Sequence, residues 1–427
     1  MPLFIVITTI LLIIGSILFF PTIKIKNINI STYWPIALIG ALSLVVTNSV
    51  SIDTIFEAFT SNDSMNPLKI LVLFISMTVL SIFLDEVGFF KYIANKSTKI
   101  LNGSQIKLFI GFYILISILT VFTSNDIIIL TFTPFICYYA KNSKINPIPY
   151  LVSEFVAANT WSMALIIGNP TNIYLASAFN IGFIEYLKIM ILPTLCASLV
   201  SLGILYLLFR KKLKTPITDG EATEEIKINK VLLIIGLFHL MTTTVLIAIA
   251  SYINLDMWII TLSFAINLII TTSLYLLIKK EKFTILANTI KRAPYALIPF
   301  VLSMFVIVLA LNGEGITLKL SNLFNGSTPA YSFGFGGAVV ANFINNIPMS
   351  VLFANMQFSS SISIYASIIA SNIAAFITPV GALAGIMWMS LLKTYDVDFS
   401  FKKFVEYGVV VGVPTLLIAL LTLTLII

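Results

Sequence analysis

Residues 155–172 have the sequence FVAANTWSMALIIGNPTN and lie inside an uncharged stretch that runs from 155 to 184. A helix of about 20 residues crosses a bilayer, so this stretch is too long for one crossing. Gly168 and Pro170 interrupt it; glycine weakens a helix and proline removes one of its hydrogen bonds. We therefore expect a broken helix or a hairpin here. A second long uncharged stretch with internal proline and glycine, 331–392, predicts the same.

The composition of the whole chain agrees with a membrane location. Of its 427 residues, 59% are hydrophobic and only 10% are charged, and the mean hydropathy is +1.03. Soluble proteins carry about 25% charged residues, so soluble enzymes, nucleic-acid binders and secreted disulfide scaffolds are excluded. The length accommodates about eleven or twelve crossings. We expect an all-α polytopic membrane protein whose first 20 residues are a membrane span and not a signal peptide.

The distribution of charge predicts the orientation and a division into two halves. Most of the 25 basic residues fall in alternate loops, whereas Asp53, Glu57 and Asp256 lie in the others. The positive-inside rule then places the N-terminus outside a plasma membrane and explains the net charge of +7 without nucleic acid. The polar segment 211–230 predicts a cytoplasmic linker between a first membrane repeat, 1–210, and a second one, 231–427. Transporters often consist of two inverted repeats whose broken helices form the binding site.

Short strings that contain asparagine support a repeat because they occur in similar order in both halves. Each half has an asparagine string, then a second one, then a string with proline. In the first half these are TSND at 123–126, AANT at 157–160 and GNPTN at 168–172; in the second half they are INNIP at 344–348, ASNI at 370–373 and TPVG at 378–381.

These asparagines are the main candidates for a binding site. An amide in hydrocarbon is costly unless it is hydrogen-bonded, so a set of them beside proline and glycine predicts a shared polar cavity. A half-helix that begins there directs N–H groups and a positive dipole end at a ligand, which favours an anion or oxyacid. The alternative is that the amides hold helices together. The set comprises Asn125, Asn159, Asn169, Asn172, Asn345, Asn346 and Asn372.

Two acidic residues and one histidine are candidates for ion coupling. Asp126 follows three residues with oxygen-bearing side chains, so it is a candidate to bind Na⁺ or a proton, or else to cap a helix. Glu154 is a weaker candidate because it lies nearer the loop at 141–149, where it would be interfacial. His239 is expected to form an interhelical hydrogen bond rather than carry protons. Lysine and arginine are absent from the polar strings, so a multiply charged substrate would have no salt-bridge partner there.

The string at 125–134, NDIIILTFTP, resembles the N-D-x-x-x-L-x-x-T-P signature of the arsenite-permease and NhaD-type branch of the ion transporter superfamily. That branch is related to citrate and dicarboxylate carriers, in which Ser-Asn-Thr motifs bind sodium and carboxylate. The second-half string here has Ile373 in place of threonine. The resemblance implies two inverted repeats, each with a re-entrant hairpin and an interrupted helix.

The resemblance also implies roles for individual residues. Asn125, Asp126 and Thr133 would form the ion-coupling region, and Asn125, Asp126 and Asn159 would be the ligands of Na⁺ if sodium is the coupling ion. The substrate site would comprise Asn159, Thr160, Asn169, Thr171, Asn172, Asn345, Asn346, Ser371, Asn372 and Thr378.

Together these observations predict a secondary active transporter of a small inorganic oxyacid or anion, similar to an arsenite or antimonite exporter. It would be coupled to protons or sodium and would work by alternating access. A Na⁺/H⁺ antiporter and a sodium-coupled citrate or dicarboxylate carrier are the alternatives. The sequence lacks HExxH, GxSxG and Walker A motifs, so we expect neither an enzyme nor a resident cofactor. A homodimer and a partner ATPase subunit are both left open, and lipid and the solute are the expected partners.

Overall fold

The computed structural model describes residues 1–20, 22–25, 28–62, 66–101, 103–214, 228–250 and 252–427. Most of the predicted linker 211–230, residues 215–227, lies outside the described residues. The division at that linker therefore stays a prediction.

Helices account for most of the described chain. In the first half they are α1 Pro2–Phe19, α2 Tyr33–Val46, α3 Ile52–Thr60, α4 Pro67–Glu86, α5 Phe89–Leu101, α6 Gln105–Phe122, α7 Asn125–Asn142, α8 Ile148–Trp161, α9 Pro170–Ala178 and α10 Phe183–Phe209. In the second half they are α11 Lys230–Ile249, α12 Met257–Lys279, α13 Thr284–Arg292, α14 Leu297–Gly313, α15 Ile316–Phe324, α16 Pro329–Ile344, α17 Asn346–Ala354, α18 Ser361–Ile373, α19 Leu383–Thr394 and α20 Phe401–Ile426.

The described chain also contains a small β-hairpin and short 3₁₀ turns. Strands β1 Thr22–Ile25 and β2 Ile28–Ser31 pair antiparallel as a hairpin between α1 and α2. Short 3₁₀ turns occupy Ile166–Gly168, Lys212–Lys214, Ala374–Phe376 and Pro379–Gly381.

The expectation of an all-α polytopic membrane protein is confirmed. Within the described ranges, seven helices are long and apolar enough to cross a bilayer, and four shorter apolar helices accompany them. The outward faces of the long helices are apolar: Ile270, Leu274 and Leu277 on α12 are 52%, 54% and 60% exposed. Such faces suit contact with lipid, whose hydrocarbon offers no hydrogen bonds.

The two halves contain the same order of elements in their last parts. In the first half α6 and α7 meet at a short break, then α8, a 3₁₀ turn, α9 and the long α10 follow. In the second half α16 and α17 meet at a break, then α18, two 3₁₀ turns, α19 and the long α20 follow. Both predicted stretches with internal proline and glycine are therefore broken helices. Inversion of one half relative to the other across the bilayer remains a prediction.

Two glycines at matching positions allow these breaks to form. Gly168 and Gly381 end the 3₁₀ turns that precede α9 and α19. A Cβ on Gly168 would lie 2.2 Å from the carbonyl oxygen of Ser162, and a Cβ on Gly381 would lie 2.2 Å from that of Ala374. Such distances are far inside van der Waals contact, so each turn folds back on the preceding helix only because the side chain is missing.

A cluster of charges joins the two halves at one end of the molecule. The Arg292 guanidinium at the end of α13 lies 2.7 Å from the carboxylate of Asp85 and also pairs with Glu86, both at the end of α4. The other oxygen of Asp85 accepts a hydrogen bond from Thr131 of α7 at 2.8 Å. This end of the molecule is therefore held together by ionic contacts.

We predict that Gly168→Ala and Gly381→Ala each destabilise the protein. A methyl group cannot fit against a backbone carbonyl without displacing it, and overpacking of this kind costs about 1–3 kcal/mol or more. Thermal unfolding of the detergent-solubilised protein measures the effect. Gly203→Ala in α10, where a Cβ would have nothing within 4 Å, is the matched control. Equal unfolding temperatures for Gly168→Ala and Gly203→Ala would contradict the packing described here.

Candidate functional site

Four helices begin close to one another in the interior of the molecule. They are α7, α9, α17 and α19, which follow the breaks of the two halves. Ser124 caps α7 by accepting from the N–H of Ile127, and Asn169 caps α9 by accepting from the N–H of Thr171 at 3.2 Å. Proline at the first position of α9 suits a helix start because its missing N–H has no helical partner.

The breaks in the second half are built differently. Asn345 caps α17 through a bond from the N–H of Ile347 at 3.3 Å and has a φ of 76°. With a ψ of 153° this residue lies outside the left-handed helical region, in a conformation that glycine mainly adopts, so the backbone at the start of α17 is strained. Ala382 precedes α19 and supplies no side-chain cap, so the N–H groups at that helix start are not capped in this way.

Asn372 of α18 lies at the centre of a buried network that joins the two halves. Its Oδ1 accepts hydrogen bonds from Ser162 Oγ at 2.7 Å and from Asn169 Nδ2 at 3.0 Å. Its Nδ2 donates to Asn172 Oδ1 at 2.7 Å and to the carbonyl of Ile368 at 2.8 Å. One amide from the second half therefore satisfies three side chains of the first half.

Other predicted residues extend this network. The hydroxyls of Thr171 and Ser371 lie 2.9 Å apart, again across the two halves. Asn346 Nδ2 donates to the carbonyl of Ser371 at 3.2 Å. Asn345 Nδ2 donates to the carbonyl of Val380 at 3.0 Å, which ties the start of α17 to the broken segment before α19. The predicted asparagines thus do hold helices together, and several also border a cavity.

A small cavity lies where the four helix starts converge. Its volume is about 20 Å³, room for about one water molecule. The first half contributes one wall and the second half the other, and no lysine or arginine of the described chain lines it. Its lining is Asn125, Asp126, Asn169, Pro170, Leu297, Asn346, Ile347, Ala382, Leu383 and Ala384. Because helix N-termini carry partial positive charge, the cavity favours a small solute with oxygen acceptors.

Asp126 places one carboxylate at this cavity. It lies in the first turn of α7 and borders the space, and it forms no hydrogen bond or ion pair with another described residue. Its neighbour Asn125 donates to Asn159 Oδ1 at 2.9 Å, which links α7 to α8. The oxygens Asn125 Oδ1, Thr160 Oγ1 and Thr378 Oγ1 are buried without a hydrogen-bond partner among the described residues. Buried oxygens of this kind are ready to accept a proton donor or a hard cation.

Thr133 lies elsewhere than the resemblance implies. Its hydroxyl donates to both oxygens of Glu154, at 3.0 Å and 3.1 Å. Two helical turns, about 12 Å, separate it from Asn125 along α7. Thr133 is therefore grouped with Glu154 and not with Asp126. Glu154 is 0% exposed, so it lies inside the protein and not on its surface.

His239 and the cysteines lie away from the cavity. The histidine ring bonds the carbonyl of Ile235 at 2.7 Å and Asn267 Oδ1 at 2.8 Å, so it connects α11 to α12 as expected. Cys137 is buried and Cys196 is partly buried, and both are free thiols.

The sequence reasoning missed Ser162. Its hydroxyl donates to Asn372 and to the carbonyl of Asn159. Its carbonyl accepts from Asn172 Nδ2 at 2.7 Å. The available signal was its spacing: Ser162 follows Asn159 by one helical turn in an otherwise apolar run, so both side chains share a face.

A cleft and a small apolar cavity lie between one end of the molecule and the central cavity. A cleft of about 340 Å³ lies at the start of α4 and is lined by Lys69, Asn180, Asp256 and other residues. Lys69 Nζ lies 3.5 Å from the Asp256 carboxylate there. An apolar cavity of about 20 Å³, lined by Ile70, Tyr174 and Leu297 among others, comes next. It shares Ile70 with the cleft, and Pro170, Leu297 and Ile347 with the central cavity.

Comparisons with known proteins agree with this architecture. The sequence model of a family described as citrate transporters, CitMHS, matches residues 10–366. An arsenical pump membrane protein of Yersinia enterocolitica is 27% identical over 381 residues, which cover 82% of this chain and 85% of that one. A putative arsenical pump membrane protein of Bacillus subtilis is 24% identical over 419 residues, with 90% and 92% covered.

A solved structure has a similar fold. The crystal structure of the Alcanivorax borkumensis YdaH transporter, described as having an unusual topology, superposes with a TM-score of 0.56. The match has 12% sequence identity and covers 100% of this chain and 97% of that one. At this identity the likeness concerns the fold alone.

We predict that Asn372→Ala strongly destabilises the protein. The change would leave Asn169 Nδ2 and Asn172 Oδ1 without the buried partner that Asn372 supplies, and each unpaired group costs about 1–3 kcal/mol. Asn355→Ala, which removes one partly buried bond to the Val351 carbonyl, is the control. Thermal unfolding in detergent is the measurement. A loss no larger for Asn372→Ala than for Asn355→Ala would show that the network is not needed for folding.

We also predict that the cleft, but not the central site, is open to water-soluble reagents. In a variant with Cys137→Ala and Cys196→Ala, a cysteine at Ser177 should react rapidly with a membrane-impermeant maleimide because Ser177 lines the cleft. A cysteine at Ser350, which lines the apolar cavity between the cleft and the central site and is 1% exposed, should react slowly. Labelling of intact cells against everted vesicles identifies the side on which the cleft opens. Equal reaction rates at both positions would contradict the separation.

Proposed function

The chain belongs to the citrate transporter (CitMHS) family, a family of membrane transporters, and from that premise we propose that it moves a small inorganic oxyacid or anion by secondary active transport. Arsenite is the first substrate to test. The observation that carries the proposal is the convergence of four helix starts on one polar cavity with walls from both halves.

The charge of the site favours a neutral or singly charged solute. Positive helix ends and amide N–H groups bind oxygen acceptors, and no described lysine or arginine lines the cavity. A tricarboxylate would carry several charges without a cationic partner, whereas a neutral or singly charged oxyacid needs none. The names of the arsenical pump relatives support the same choice of substrate.

Alternating access is the proposed mechanism. Because the cavity lies between the two halves, a movement of one half relative to the other would expose it to each side in turn. The cleft beside Lys69 is one approach to the site. By the positive-inside prediction it faces the outside of a plasma membrane. At the opposite end of α4, the ionic cluster around Arg292 joins the two halves, and we propose that these contacts break when the site opens to that side.

Asp126 is the proposed coupling group. Its carboxylate borders the cavity without a cationic partner among the described residues, and such a charge at membrane depth is costly. A proton or Na⁺ bound there would change the affinity of the neighbouring substrate site, and by linkage the substrate would change the affinity for the ion equally. The buried side-chain oxygens of Asn125 on α7 and Thr160 on α8 have no hydrogen-bond partner among the described residues. By themselves they favour neither a proton nor Na⁺.

Two alternatives have some support. The family description favours a carboxylate substrate, which would need co-bound cations to balance its charge in this site. A Na⁺/H⁺ antiporter would use Asp126 and the unpaired oxygens alone, with no anion. The three candidate functions differ in the solute that moves and in the gradient that drives it.

We predict that everted membrane vesicles containing the protein accumulate arsenite under a pH or Na⁺ gradient, and that Asp126→Asn abolishes the coupling. Because coupling free energies of 1–3 kcal/mol correspond to about 5- to 150-fold, the loss should fall in that range. Asp53→Asn, at an exposed position in α3, is the matched control and should accumulate arsenite normally.

The outcomes separate the candidate functions. Accumulation of citrate or malate, with arsenite at the background level, would show that the substrate is a carboxylate and not arsenite. Na⁺/H⁺ exchange that ignores both solutes would favour the antiporter. Full gradient-driven accumulation in Asp126→Asn would show that another residue carries the coupling.

A further inference from the structure

Glu154 is a buried carboxyl group that has no role in the proposed alternating-access mechanism. It lies on α8, about 7.5 Å along the helix from Asn159, and its side chain is 0% exposed. Within the described chain it forms no ion pair with lysine, arginine or histidine. A fixed negative charge with no cation at this depth is very costly, so Glu154 must be neutralised in this conformation.

The carboxyl group nevertheless has donors that suit its ionised form. Thr133 Oγ1 on α7 donates to both of its oxygens. The indole N–H of Trp388 on α19 lies near the same carboxyl group, but it forms no hydrogen bond with any described residue. The Thr133 hydroxyl, and the indole N–H if it comes within bonding distance, stabilise the carboxylate once Glu154 loses its proton. The site is therefore equipped for both protonation states.

The indole is held in this position by other rings. Trp388 is 1% exposed, and its centroid lies 5.0 Å from that of Phe155, 5.2 Å from that of Phe399 and 5.7 Å from that of Phe404. Aromatic contacts of this kind fix the ring plane. A small shift of α19 relative to α8 would bring the N–H into bonding range or take it away.

The surroundings favour a proton over a metal cation. Sodium needs several oxygen ligands, whereas the indole N–H has no lone pair to offer. The ionisable neighbour of Glu154 is the thiol of Cys137, one turn after Thr133 on α7. In the described chain, no charged side chain of α6, α10, α18 or α19 forms an ion pair with the carboxyl group. The charged residues of α20, which packs on Phe155 and Trp388 through Phe404, are exposed: Lys402 lies near Glu406 and Lys403 near Asp398.

We propose that Glu154 is a second proton-binding site, distinct from Asp126, that takes up and releases one proton as α7, α8 and α19 change their contacts during transport. The proposal rests on the proposed function, because it assumes that these segments move relative to one another. When Glu154 is protonated, its carboxyl group bonds to Thr133 alone. When the segments shift, the proton leaves to water, and Thr133 and Trp388 both donate to the carboxylate that remains.

Infrared difference spectroscopy during a pH titration of the purified protein in lipid tests the proposal without any substrate. The wild type should show a carboxylic C=O band that disappears reversibly as the pH rises. Glu154→Gln should lack this component, and Glu185→Gln, at an exposed position in α10, should keep it. A Glu154 band that stays constant over the whole titration would overturn the proposal.

Two conservative variants separate proton exchange from a purely structural role. Thr133→Val removes one donor and keeps the packing volume, and Trp388→Phe removes the other donor and keeps an aromatic ring in the cluster. Both should change the pH at which the Glu154 band disappears. If neither does, the donors do not stabilise the carboxylate and the proposal fails, even if Glu154→Gln itself does not fold.

Transport in proteoliposomes supplies the functional readout. A pH-sensitive dye inside the liposomes should report fewer protons per arsenite for Glu154→Gln than for the wild type, and the same number for Glu185→Gln. An unchanged ratio for Glu154→Gln would overturn the coupling role. If wild-type protein does not move arsenite at all, the proposed function has failed, and the infrared titration still decides whether Glu154 exchanges a proton.

Discussion

The structure depends on the pairing of polar groups where helices break inside a bilayer. Hydrocarbon offers no hydrogen bonds, so every N–H and C=O freed at a break needs a partner within the protein. The partners here are short side chains next to the breaks: Ser124, Asn169 and Asn345 cap three of the four helices that start in the interior. The amide of Asn372 then joins the broken segments of the two halves. One set of contacts therefore stabilises the fold and forms the walls of the cavity.

The two halves share an order of elements but differ in chemistry. The first half brings a carboxylate, Asp126, and an asparagine cap, Asn169, to the cavity. The second half brings Asn346 and the uncapped start of α19. The negative charge at the site thus comes from one half alone, while both halves supply N–H groups. Such a division allows an ion to act mainly on the first half and a solute to contact both.

Much of this arrangement could be predicted from the sequence, because the residues that mark the helix breaks are energetically unfavourable inside a membrane. Glycine, proline and asparagine in the run from 155 to 184 are unfavourable in a membrane helix, so they marked the break at Trp161 and the interior start of α9. Side-chain partners could not be predicted in the same way. The contact of Thr133 with Glu154, and not with Asp126, depends on how α7 is rotated against α8. Ser162 could not be predicted because a single serine in an apolar run costs little free energy. Its role becomes apparent only from its hydrogen bond to Asn372.

The two ends of α4 are held by different kinds of contact. Between the cleft and the cavity, the side chains of Ile70, Tyr174 and Leu297 form an apolar collar. At the other end of α4, Arg292 holds Asp85 and Glu86 by charge, and its side chain is 36% exposed. Salt screens exposed ion pairs but leaves apolar contacts largely intact, whereas cooling weakens apolar contacts. Ionic strength and temperature therefore act on opposite ends of the same molecule, and each offers a way to bias the conformation without changing a residue.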